Sequence, residues 1–95
     1  AKLYQNKALD FDPLYADAYF NRSSAKFQKR DFHGAIEDYS QVITINPKDS
    51  DAFFNRANVK KEVGNIQGAC EDWKKAADLG DEEATDSLKR FCNND

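Results

Sequence analysis

The chain repeats itself. Shifted by 34 places, Pro13–Asn46 falls on Pro47–Gly80, and eleven positions coincide: Pro13/Pro47, Asp17/Asp51, Ala18/Ala52, Phe20/Phe54, Asn21/Asn55, Arg22/Arg56, Lys26/Lys60, Gly34/Gly68, Ala35/Ala69, Glu37/Glu71 and Asp38/Asp72. Other pairs keep their chemistry, as in Tyr19/Phe53, Phe32/Ile66, Tyr39/Trp73 and Ile45/Leu79. A period of roughly 20–50 residues is the mark of a stacked array. One such unit is too small to shelter its apolar face, so it hides that face against the next copy. The repeat therefore excludes most independently closed folds.

Apolar spacing within each copy is helical. Residues 1–11 carry Leu3, Tyr4, Ala8, Leu9 and Phe11 as one stripe. Ala8-Leu9-x-Phe11-Asp12-Pro13 matches Val42-Ile43-x-Ile45-Asn46-Pro47, so residues 1–12 read as the second helix of an earlier repeat, cut from a longer protein. Its helix must stop before Pro13, because proline removes a donor and disfavours a helical predecessor. A helix is expected from Tyr15 to Lys29. It has two sides: Ala18, Tyr19, Arg22, Ser23, Ala25 and Lys26 on one, and Asp17, Phe20, Asn21, Ser24 and Gln28 on the other. Asp31 should cap a helix over His33–Ile45. Asn46, a common left-handed closing residue, ends it before Pro47.

The second copy repeats this plan. Asp49, Ser50 and Asp51 open a helix through Val63, Gly64-Asn65 turns the corner, and Gln67–Leu79 follows, ended by Gly80. Asp81 sits where a third proline would fall. Glu82–Cys92 then reads as a last, more polar helix that covers the end of the array. The expectation is an all-α chain of about six antiparallel helices in a single domain, 1–95. It divides into 1–12, the repeats 13–46 and 47–80, and a capping helix, 81–95.

Composition narrows function. A net charge of −3 supplies no basic field for nucleic acid or anionic lipid. No apolar run nears the roughly 20 residues of a membrane helix, so membrane insertion is not expected. There is no Gly-rich phosphate loop, no Ser/His/Asp order and no second ligand beside the lone His33. The sequence predicts no enzyme, no cofactor and no metal site. Asn21-Arg22-Ser23 fits a glycosylation pattern but lies mid-helix.

Two helices per 34 residues, with Tyr19, Phe27, Phe32, Gly34-Ala35-Ile36, Tyr39, Val42, Ile45 and Pro47, resemble the tetratricopeptide repeat. The second copy contributes Phe53, Gly64, Ile66, Gly68-Ala69, Trp73, Ala76 and Leu79. The resemblance covers the whole chain. Departures are Arg22 and Arg56 for the usual Leu, Ser23 and Ala57 for Gly, Lys26 and Lys60 for Tyr, and Ala76–Asp81 for the proline-ended close.

The resemblance implies a right-handed α-solenoid that binds proteins or peptides on its concave face. That face is lined by the first helix of each pair. Carried over, it comprises Asp17, Phe20, Asn21, Ser24 and Gln28, then Asp51, Phe54, Asn55, Asn58 and Glu62. Rings would give contact area there, and amides would bind backbone groups. The alternative reading packs Phe20 and Phe54 between neighbouring first helices. A carboxylate-gripping mode does not fit: Phe20 and Phe54 stand where lysines would be needed, and Asp17 and Asp51 would repel the ligand. From a different class comes a structural spacer, or self-association through the exposed N-terminal half-repeat.

Arg22 and Arg56 recur with Glu37, Asp38, Glu71 and Asp72, so internal Arg–carboxylate bridges are expected, with an anion site as the alternative. Cys70 and Cys92 lie eleven residues on either side of Asp81. On the two arms of a helical hairpin they fall at similar heights, so a disulfide is feasible. It would suggest an oxidising compartment rather than the cytoplasm. Two buried free cysteines are the alternative.

Overall fold

Five α-helices follow one another in the computed structural model, which describes residues 13–92. They are α1 (Pro13–Gln28), α2 (Phe32–Ile45), α3 (Ser50–Glu62), α4 (Ile66–Asp78) and α5 (Glu82–Ser87), the last running on through a π-helical turn at Leu88–Cys92. No strand occurs among the described residues. The helix expected before Pro13 lies outside them.

The four helices after α1 each start on a side-chain acceptor. Asp31 takes the Gly34 N–H (3.1 Å), Asp49 that of Ala52 (3.1 Å), Asn65 that of Gly68 (2.9 Å) and Asp81 that of Glu83 (2.9 Å). The recurrent Gly34 and Gly68 have a local cause. A Cβ there would run into the Asp31 carboxylate or the Asn65 amide that caps the helix. Pro13 opens α1, two residues before the expected start, where its missing N–H costs nothing.

Three helices end alike. The Asp31, Asn65 and Asp81 amides reach back to the Lys26, Lys60 and Ala76 carbonyls at 2.8–3.0 Å. The residue before each has positive φ: Arg30 at 66°, Gly64 at 88° and Gly80 at 105°. Arg30 takes this left-handed position without glycine, at a cost of about 1–2 kcal/mol. Asn46 does not adopt it. Its φ and ψ are −133° and 89°, extended, because Pro47 follows and its ring excludes the helical region.

The core forms two clusters that cross the repeat boundary. Ala35 and Tyr39 of α2 bury against Val59 of α3, with Phe20, Phe27, Phe32 and Ile36 packed around them. Phe53, Ala57, Ala69, Trp73, Ala76 and Ala84 form the other, joined by Ile43 from the preceding pair. Ser23 and Ala57, equivalent positions, are fully buried. The Ser23 hydroxyl donates to the Tyr19 carbonyl at 2.7 Å, so its burial strands no polar atom. Trp73 is fully buried and stacks on Phe91 at 5.4 Å between centroids. Its indole N–H has no partner among the described residues.

Each hairpin carries an ion pair. Arg22 grips Asp38 with two bonds of 2.7 and 2.8 Å, and Lys26 approaches the same carboxylate at 3.2 Å. Arg56, Asp72 and Lys60 repeat this at 2.7, 2.8 and 3.1 Å. Glu37 and Glu71 stay exposed. Arg56 also donates to Ser40 Oγ at 2.9 Å, which ties it to the previous pair. The two copies differ in cover. Ala52 is fully buried and the Arg56 side chain is 18% exposed, whereas Ala18 is open and the Arg22 side chain is 59% exposed. Among the described residues, the expected inner side of α1 therefore stands open at Ala18, Arg22 and Ala25.

Cys70 and Cys92 are joined in a disulfide with Cα atoms 5.9 Å apart. It fastens the π-helical turn to α4.

Two predictions follow from these contacts. The Arg22 hydrogen bonds, helped by Lys26 and opposed by burial, hold the Asp38 carboxyl below the usual carboxylate range. A depressed folded value means stability that is full above an unfolded pKa of about 3.9 and is lost as pH falls through the folded value. The thermal midpoint should thus drop on acidification below about pH 4, and drop less in Asp38→Asn. At neutral pH that variant should lose roughly 1–3 kcal/mol, against less than about 0.5 kcal/mol for the exposed Glu37→Gln. Equal midpoints for the two would contradict the pairing. For the disulfide, thiol titration of the unreduced, denatured chain should find no free thiol. Reduction should lower the unfolding free energy by about 3 kcal/mol, the loop-closure value for a sequence separation of 22.

Candidate partner-binding face

The first helices of the pairs carry equivalent rows. On α1, Asp17, Asn21 and Gln28 are exposed, while Phe20 and Ser24 are half-buried. On α3, Asp51 and Glu62 are exposed, while Phe54, Asn55 and Asn58 are half-buried. Asn55 donates its side-chain N–H to the Asp51 carbonyl at 2.9 Å.

The two rings do not project as free aromatics. Phe20 meets Tyr39 edge-on, 5.4 Å between centroids and 82° between planes. Phe54 packs against the second core cluster. Both therefore form a floor rather than standing proud of the surface, because α2 and α4 supply large neighbours beneath them. The Tyr39 hydroxyl lies 3.3 Å from Ser24 Oγ. Burial pushes its phenol above the ordinary value, partly offset by that hydrogen bond.

A third row lies on α5. Residues 46–49 separate α2 from α3, but only 79–81 separate α4 from α5. The shorter link brings Asp81 into the capping role of Asp49, and Ala84 is fully buried like Ala52. Equivalence across this link thus runs at 32 residues, not 34. Glu83, Asp86, Ser87 and Arg90 then continue the row of Asp51, Phe54, Asn55 and Asn58. With Phe54 they line a cleft of about 190 Å³. Setting Asp81 on Pro47 hides this row; the signal that reveals it is Asp49-x-x-Ala52 recurring as Asp81-x-x-Ala84.

Two further hollows lie elsewhere. One is bounded by Tyr15, Ala18, Tyr19 and Arg22 on the open side of α1. The other runs beside the disulfide, between Ile66, Leu88 and Phe91. His33 is exposed at the start of α2. No group of His, Cys, Asp and Glu that could hold a metal occurs among the described residues. No described helix is long and apolar enough to cross a membrane.

Antiparallel helix pairs stacked through shared cores define a helical-hairpin array, an α-solenoid. Residues 24–64, from mid-α1 to the corner after α3, match the family model of the TPR repeat. That match supports assignment to the tetratricopeptide-repeat family. No curated protein matches it. Tetratricopeptide repeats are in general protein–protein interaction modules and typically scaffolds without catalysis.

Proposed function

We propose that this chain docks a peptide or a partner surface on the concave face of its first helices, α1, α3 and α5. The observation that carries the reading is the third row. A shortened link lets α5 continue the rows of α1 and α3, and the junction of α3 and α5 is a cleft floored by Phe54. Phe20 and Phe54 supply apolar area, and Asn21, Asn55 and Asn58 supply paired donor and acceptor groups for a backbone. The face offers no nucleophile–base pair and needs no cofactor. Within this reading 13–46 and 47–80 are the two repeats, and residues from 81 on are the cap that also completes the groove.

A second reading, self-association, draws on the open side of α1. Tyr15 is 42% exposed there, and among the described residues Ala18 and Arg22 lack the cover that their equivalents Ala52 and Arg56 have. A further helix, from this chain or from a second copy, fits that side.

One set of measurements separates the two. Immobilised chain should capture a partner from its native extract, and Ser87→Arg in the cleft lining, combined with Asn55→Arg on the adjoining row of α3, should abolish capture while the far-ultraviolet circular dichroism stays unchanged. Equal capture by wild type and variant would sink the groove. Size-exclusion chromatography over a concentration series should show a monomer; a concentration-dependent dimer lost in Ala18→Glu would favour self-association instead.

A further inference from the structure

The proposed face carries mainly one sign of charge. Asp17, Asp51, Glu62, Glu83 and Asp86 are exposed carboxylates on its three rows, and Arg90 is the rows' only cation. Ion pairs among the described residues join Arg22 and Lys26 to Asp38, and Arg56 and Lys60 to Asp72. Those bonds lie within the hairpins, and none reaches the five carboxylates of the rows.

Helix ends explain only part of this. Asp51 and Glu83 sit in first turns, where the positive helix terminus favours them. Asp17 and Asp86 lie beyond the first turn of their helices and gain little. Glu62 is the last residue of α3, at the negative C-terminal end of the helix, which disfavours an anion. The carboxylates near the cleft are also set around an apolar floor, since Phe54, Glu83 and Asp86 line it together.

We infer that the occupant of this face is a cationic segment of a partner protein, a Lys- or Arg-bearing peptide laid across α3 and α5. This rests on the reading of the face as a docking groove and names its ligand class. An apolar side chain of the peptide covers Phe54, and its cations approach Asp51, Glu83 and Asp86. In an extended peptide alternate side chains point the same way at about 6–7 Å spacing, so apolar and cationic positions interleave. Such complementarity acts chiefly on encounter rate and selectivity, and it weakens with salt. Nucleic acid and anionic lipid carry the wrong sign for this face.

The test uses the whole chain and an end-capped peptide in which Lys and Ala alternate around one central Leu, with its Gln-for-Lys and Glu-for-Lys counterparts. Amide shifts in a nuclear magnetic resonance titration give both site and affinity. The Lys peptide should move the amides of Asp51, Phe54 and Asp86, weaken as salt is added, and bind at least roughly fivefold more tightly than the Gln peptide. Asp51→Asn with Asp86→Asn should weaken it by roughly fivefold to tenfold. Glu37→Gln with Glu71→Gln makes the same charge change on α2 and α4 and should leave it unaltered. Equal binding of the Lys and Gln peptides at these amides overturns the charge selectivity and leaves a docking face. Equal losses in the two double variants overturn it as well. Shifts confined to α2 and α4, or none with any peptide, overturn both the selectivity and the groove.

Discussion

No hairpin of this chain closes its own core, and the rest of the structure follows from that. Val59 belongs to α3, yet it is buried against Ala35 and Tyr39 of α2. Ile43 belongs to α2, yet it packs on the cluster built by α3 and α4. Each such side chain contributes roughly 1.5–3 kcal/mol only if the neighbouring pair is in place. Stability is therefore shared between adjacent units, as expected of a quasi-one-dimensional array. The same need shapes α5, where Ala84 and Leu88 cover α4.

Polar groups set register within this apolar frame. Arg56 spans three helices: it stands on α3, grips Asp72 on α4 and donates to Ser40 on α2. A fork of this kind is geometrically specific, and removing one partner costs more than the pair adds net. Arg22 makes the equivalent grip on Asp38 but is far more solvated, so water can replace more of what it supplies. The disulfide does a related task at the other end, holding the π-helical turn that carries Phe91 over Trp73. Trp73 leaves an indole N–H without a partner among the described residues, a cost set against a large buried apolar area.

Most of the architecture was legible because the repeat writes each element twice. The caps at Asp31 and Asp49 were readable, since an acidic acceptor before a helical run has a local cause. The 34-residue shift sets Arg30 on Gly64, but the left-handed backbone of Arg30 was not legible, because arginine gives no sign of it. Asn46 was misjudged: the proline after it outweighs asparagine's own tolerance of positive φ. Composition could not choose between Glu37 and Asp38 as the arginine partner, since that depends on where helical phase carries each carboxylate. The candidate face was half legible. Its two rows follow from the period, but the burial of Phe20 and Phe54 depends on neighbours from other helices. The row on α5 depends on a helix that starts two residues earlier than the 34-residue period implies, across a link one residue shorter.

The proposed binding face depends on the pairs being stacked, so shared burial is the claim to test. Native-state hydrogen exchange on wild type and Val59→Ala does so directly. Truncating this buried side chain should lower protection in α2 as much as in α3 and α4, by roughly 1–3 kcal/mol. Loss confined to α3 and α4, with α2 protected as before, would mean that each hairpin stands on its own and would contradict the account.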